Sequence, residues 1–149
     1  MAQTTGAATM RSAVIEFSTD GTTWNNISGV ANSVESDGSE RTTGEVYTAD
    51  GDTAITGIGK LQPAEVDLNI VYSEVTTEGY ILMSALLTAG TACKVRWAPK
   101  GSTTGNYRYT SATGHVTKAP PPSGDVESGD PILVTLTHRS PGITAAAIS

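Results

Sequence analysis

From Glu65 to Tyr72 the chain alternates without a break: Val66, Leu68, Ile70 and Tyr72 fall on one face of an extended backbone, Glu65, Asp67 and Asn69 on the other. Strand side chains point to opposite faces with a period of two, so this run predicts a strand with one buried and one wet face. That is the mark of an antiparallel sheet, because parallel sheets are covered on both sides. Pro63 stands just before it, where a missing N–H does no harm. The same alternation returns in Ala13, Ile15 and Phe17, in Cys93, Val95 and Trp97 with Lys94 and Arg96 between them, and in Ile132, Val134 and Leu136. Extended segments at 22–27, 30–36 and 107–118 bring the expected total to six or seven strands. Thr19-Asp20-Gly21 predicts the turn after the first strand, and Trp24 is the core residue expected on the return.

One helix is expected, over residues 76–89. Thr76 or Thr77 can cap it, Glu78 suits the dipole of its first turn, and Gly90 is a natural stop. Ile81, Leu82, Ala85, Leu86 and Ala89 make its apolar stripe. The fold class is therefore mainly β, a β-sandwich with one packed α-helix. With 149 residues, a single domain of this kind buries roughly 68–70% of its unfolded surface. Residues 1–11 are expected to form an N-terminal arm and 140–149 a C-terminal docking arm.

Between these strands lies a stretch, 37–61, that fits no packed element. Gly38, Gly44, Gly51, Gly57 and Gly59 punctuate it, and Val46, Tyr47, Ile55 and Ile58 follow neither a period of two nor one of 3.6. Unstructured connections longer than about 12–15 residues are uncommon in compact domains and are usually functional or disordered. A disordered linker lacks apolar anchors such as these. The stretch reads as a long interaction loop held out by a β platform. Its candidate contact residues are Arg41, Glu45, Val46, Tyr47, Asp50, Asp52, Ile55, Ile58 and Lys60.

Charge limits the partners. Only 16% of residues are charged, and the net charge is −6 with no block of like sign. A surface poor in charge resembles the core of an interface, so large-scale self-association is expected. Duplex binding by phosphate neutralisation needs clustered Lys and Arg, and none is present. A single cysteine, Cys93, excludes an intrachain disulfide and suits a reducing compartment. The N-terminal stretch has no basic start followed by an apolar run, and no segment approaches the 18 apolar residues of a membrane helix. Assembly in the cytoplasm and no membrane partner are the expectations.

Chemistry is sparse. His115 and His138 lack the clustered spacing of metal ligands, and Cys93 sits on the apolar side of its strand, where thiols are inert. Asp50-Gly51-Asp52 matches only part of a calcium loop. Asn26-Ile27-Ser28 is a glycosylation sequon read as a chance match. No nucleophile elbow or paired base is present. Catalytic residues, metal and cofactors are all expected to be none.

Several segments together resemble the major tail tube proteins of long-tailed, siphovirus-type bacteriophages. They are Trp24-Asn25-Asn26-Ile27-Ser28-Gly29-Val30, the run from Glu40 to Asp52, Val71-Tyr72-Ser73-Glu74, Val95-Arg96-Trp97-Ala98-Pro99-Lys100-Gly101, and Gly114-His115-Val116-Thr117-Lys118. The resemblance spans roughly residues 12–140. It implies a virion protein that forms hexameric rings, stacked into a hollow tube through which the genome leaves. An inner sheet from each subunit would join its neighbours, and the long loop would reach an adjoining subunit or ring. Tape measure, tail tip and tail terminator proteins are the further partners it implies, with DNA passing through without specific binding.

A basic lumen would grip DNA, whose charge density is about one per 1.7 Å. Glu35, Glu65, Asp67 and Asn69 are therefore the candidate lumen-facing residues; alternatively they face solvent or pair with Lys94 and Arg96 across strands. Other readings of the chain are a monomeric carbohydrate-binding or adhesive β-sandwich, using Trp24, Trp97, Tyr107 and Tyr109, or another virion component such as a tail terminator or decoration protein.

Overall fold

In the computed structural model, which describes residues 2–149, the alternating segments pair into antiparallel sheets. The strands are β1 (Val14–Ser18), β2 (Asn25–Asn26), β3 (Ala31–Ser36), β4 (Arg41–Val46), β5 (Ile55–Leu61), β6 (Ala64–Val71), β7 (Lys94–Ala98), β8 (Tyr107–Ser111), β9 (His115–Lys118), β10 (Leu133–Ser140) and β11 (Ile143–Ala147). One helix, α1 (Gly79–Ala89), lies between β6 and β7. A five-stranded sheet has the order β11-β8-β7-β1-β2, and a four-stranded sheet the order β3-β6-β10-β9. β4 and β5 form a separate two-stranded hairpin. The fold class is the expected one: mainly β, two sheets face to face and one helix.

The strand count exceeds the six or seven expected, for three physical reasons. The first is that the segment 107–118 breaks after Ser111 into β8 and β9, which join different sheets. The stretch 37–61 is not a loop but a hairpin, with Val46 opposite Ile55 and Gly44 opposite Gly57. Every residue of both its strands is exposed, so burial imposes no alternation on its sequence. The expected C-terminal arm is likewise an edge strand in part, with Ile143 opposite Ser111 and Ala147 opposite Tyr107. Its small side chains carry no pattern.

The apolar faces of the two sheets meet in one core. Ile15 and Phe17 of β1 and Val95 and Trp97 of β7 face Val66, Leu68 and Ile70 of β6, Leu136 of β10 and Val116 of β9. Burying such side chains contributes about 1.5–3 kcal/mol each. The turn after β1 is built on Asp20, whose Oδ1 accepts the N–H groups of Thr23 (2.7 Å) and Thr22 (2.8 Å) and the Ser18 hydroxyl (2.9 Å). Those donors hold its carboxyl well below the usual carboxylate range.

α1 differs in detail from its sequence reading. It begins at Gly79, and Glu78 at the cap position makes no side-chain cap bond. The buried face carries Gly79 and Met83, with Tyr80, Leu82, Leu86 and Leu87 packed on the core, whereas Ala85 and Ala89 are exposed. The real stripe is thus rotated from the expected one towards Met83. Gly90 does end the helix, with a left-handed φ of 66°. Its N–H reaches Leu87 O (3.2 Å) while Thr91 N–H reaches Leu86 O (3.1 Å), closing the last turn.

Candidate assembly surfaces

The hairpin β4–β5 is an apolar projection. Exposure is 58% at Val46, 60% at Tyr47, 58% at Ile55, 76% at Ile58 and 46% at Leu61. The charged candidates Arg41, Glu45, Asp50, Asp52 and Lys60 are exposed as well, so the structure brings all nine expected contact residues onto one free-standing element. Arg41 Nη1 braces the strand pair by donating to Gly59 O (3.2 Å). At the base, Glu65 N–H donates to Asp37 Oδ1 (2.9 Å) and Ile143 N–H to Ser39 Oγ (3.4 Å), which tie the hairpin root to the sandwich.

Midway along the hairpin Gly44 and Gly57 stand directly opposite each other. Added Cβ atoms there would meet nothing within 4 Å. A bare backbone pair beside Val46 and Ile55 is a flat place where another chain can approach closely. The residue types are unremarkable one by one. Only the register shows the flat spot.

The outer face of the four-stranded sheet is the second surface. Glu35 lies opposite Asp67, and Ser33 opposite Asn69, across β3 and β6. Thr135, Thr137 and Arg139 of β10 lie opposite Asn69, Asp67 and Glu65. These side chains bond to one another in a row. Asn69 Nδ2 donates to Ser33 Oγ (2.6 Å), Thr135 Oγ1 to Asn69 Oδ1, and Thr137 Oγ1 to Asp67 Oδ1 (2.6 Å). Arg139 Nη1 pairs loosely with Glu65 Oε1 at 3.8 Å.

Glu65, Asp67 and Asn69 therefore share one polar face, as the alternation implied, and the β3–β6 register adds Glu35 to it. The alternative pairing with Lys94 and Arg96 is overturned, because those residues sit on β7 in the other sheet, where Arg96 Nε bonds Glu16 Oε2 at 2.6 Å. Ser33, Thr135, Thr137 and Arg139 were missed as members of this face. The alternation of Thr135 and Thr137 with Val134 and Leu136 was the signal that held them.

Strand edges form the third surface. The four-stranded sheet ends at β3 on one side and β9 on the other, and neither has a strand partner beyond it among the described residues. Every pairing in the sheet is antiparallel. Directions alternate over four strands, so β3 and β9 run opposite ways.

The remaining candidates are structural. Trp24 is half-buried and not a core residue as expected; the Arg96 guanidinium lies 3.9 Å from its ring centroid. Trp97 is buried and stacks on Tyr109 at 5.7 Å. Trp97 is thus closed off in the core, and Arg96 occupies one face of the Trp24 ring. His138 is buried with Nε2 3.0 Å from Cys93 O, and His115 is exposed. Burial pushes the Cys93 thiol up and the His138 imidazole down from their ordinary ranges. Among the described residues no three His, Cys, Asp or Glu side chains gather as a metal set, and no helix is long and apolar enough to cross a membrane.

No protein-family model and no curated protein matches the chain. Solved structures do match it, over nearly its whole length. A chain from the sheath–tube complex of an extracellular contractile injection system (PVC, extended state) superposes with TM-score 0.75 at 13% identity, covering 97% of this chain and 94% of that one. The cap that terminates the tube of the anti-feeding prophage gives TM-score 0.71 at 14% identity over 99% and 95%. The tail of an empty GTA particle, refined with C6 symmetry, gives 0.63 at 11% over 99% and 100%. The fold is thus a tail-tube fold. More particularly, it is the fold common to tube and tube-terminating components of injection machines and tails.

Proposed function

We propose that the chain is a tail tube subunit, a non-catalytic virion protein of a long-tailed, siphovirus-type phage. It assembles into hexameric rings that stack into a conduit for the genome. One observation carries this reading: an ordered hairpin whose strands are exposed along their whole length, with the apolar side chains of Val46, Ile55 and Ile58 left open. Contiguous exposed apolar surface marks an interaction site. A hairpin held at its root and open along its length is suited to clasp a neighbouring copy.

Ring closure follows from the strand directions. Rotating a copy brings its β3 beside the β9 of the preceding one in the antiparallel sense that every other pair in the sheet already has. Repeating one such heterologous contact closes a ring, and a second, axial contact extends rings into a tube. Edges that are a liability in a monomer then become seams. Six copies of a four-stranded sheet give a barrel about 45–50 Å across at the backbone, from a strand spacing of about 4.8 Å and a tilt of 35–45°.

The row of Glu35, Glu65, Asp67 and Asn69 with Thr135 and Thr137 then lines the lumen. Its hydroxyls and amide are already bonded to each other, and Glu35, Glu65 and Asp67 outnumber Arg139 and Lys118 on the same face, so it repels phosphate mildly instead of gripping it. Tape measure, tail tip and terminator proteins are the partners at the tube ends. A second reading, a single-ring tube terminator, is favoured by the likeness to the anti-feeding prophage cap.

Negative-stain microscopy of the concentrated protein tests both. A tube subunit gives stacked rings, a terminator gives isolated rings, and a strict monomer at every concentration and salt excludes both. Deleting residues 41–60 should preserve the fold and remove stacking.

A further inference from the structure

The loop that joins β9 to β10, residues 119–132, shapes itself. Ser128 N–H donates to Asp125 O (3.1 Å), Glu127 N–H to Asp125 Oδ1 (3.0 Å) and Asp130 N–H to Ser128 Oγ (3.1 Å). The turn holds Val126 at its tip with 99% of its surface exposed, flanked by three carboxylates. At the opposite edge of the same sheet lies a cleft of about 320 Å³ beside β3, of mixed lining, with Met10, Ile15 and Val34 next to Arg11, Ser28 and Asn32 among others. Met10 is 44% exposed there, and Arg11 has no carboxylate within salt-bridge distance among the described residues.

Both features sit at the same end of the sheet. Val71 of β6 lies opposite Leu133 at that end, and Ala64 opposite Ser140 at the other. β9 runs from the level of Arg139 to that of Thr137, so its loop leaves towards the Leu133 end. β3 starts there, with Ala31 opposite Ile70. The rotation that sets β9 of one copy against β3 of the next therefore carries the loop to the cleft.

Resting on the ring reading above, we propose that each subunit docks the Val126 tip of its β9–β10 loop into the Met10–Arg11 cleft of the next subunit in the ring. Val126 supplies the apolar anchor. Asp125 and Glu127 supply charge complementary to Arg11, which fixes register and suppresses wrong neighbours. The occupant is a second copy because the continuing sheet edge brings that copy's β9–β10 loop to this end of the cleft, where its acids meet Arg11.

A double variant, Met10→Cys with Val126→Cys, tests this in the full chain, since Cys93 is buried and does not compete. Mild oxidation of assembled protein should give a disulfide-linked ladder ending at the ring size, and neither single variant should give one. Separately, Arg11→Glu should raise the concentration for half-assembly by about tenfold, and adding Asp125→Lys with Glu127→Lys should restore it. Rings that form normally but give no ladder, with Arg11→Glu neutral, would overturn the docking and leave the ring intact. A disulfide-linked dimer from Val126→Cys alone would show tip meeting tip and also overturn it. Absence of rings from the unaltered protein would remove the ring reading and this proposal together.

Discussion

Replacing Ile58 separates a clasp from an ordinary surface loop. Ile58 keeps 76% of its surface in the subunit. Full burial of such a side chain contributes about 2–3 kcal/mol, so ~1.5–2 kcal/mol per contact is still to be gained on assembly. Ile58→Ala forfeits most of that, which weakens each contact about 10- to 30-fold. Ile58→Asp adds the cost of an unpaired carboxylate in a closing interface and should abolish assembly at concentrations where the unaltered chain is fully assembled. Within the subunit the same side chain packs on little. The change in folding free energy should stay within about 0.5 kcal/mol, or roughly 1–2 °C in Tm for a chain of this length. Sedimentation velocity over a concentration series reads the first effect and a thermal melt of the dilute monomer the second. Normal assembly of Ile58→Asp, or a monomer Tm lowered by several degrees, would contradict a role for this side chain in clasping a neighbour.

Other outcomes follow from the core. Met83, fully buried on the inner face of α1, should cost about 2–5 kcal/mol when cut to Ala, read as a lowered urea midpoint. His138 should make stability pH-dependent. Burial holds the folded imidazole below the value near 6.5 of the unfolded chain, so the unfolded state binds more protons in that interval. Stability is full above about pH 6.5 and falls as pH drops below it. Melts at pH 7.5 and 5.5 should differ, with a smaller difference in His138→Gln; equal melts in the parent would contradict this. Arg96→Met keeps the stem but loses the bond to Glu16 and the contact with Trp24. It should lower stability by about 1.5–3 kcal/mol and shift Trp24 fluorescence.

The platform was legible in the sequence because burial writes a pattern. Val66, Leu68 and Ile70 had to alternate with Glu65, Asp67 and Asn69 once one face met the core, and Cys93, Val95 and Trp97 obeyed the same rule. Gly90 was readable because only a left-handed residue closes that helix. The hairpin was legible as a protruding element but not as strands. With both faces wet, its register rests on backbone bonds, and Gly44, Gly57 and Gly59 leave no side chain to alternate. β11 escaped for a related reason: Ala145, Ala146 and Ala147 on a wet edge have no preferred face. Trp24 shows a further limit, since hydrophobicity alone did not reveal that Arg96 would cover its ring at the surface. The lumen candidates came out on one face because period two is a local property. The alternation on β10 marks Thr135 and Thr137 as facing outward, but that they meet Asn69 and Asp67 depends on pairing strands 66 to 70 residues apart, which no local pattern supplies.

The most direct measurement is an electron cryomicroscopy reconstruction of the assembled chain at side-chain resolution. It should show β3 of one copy paired antiparallel with β9 of the next, Asp67 and Asn69 facing the lumen, and Val46, Ile55 and Ile58 covered by another subunit. A multimer in which that hairpin stands free in solvent, or in which the four-stranded sheet ends unpaired, would contradict the account.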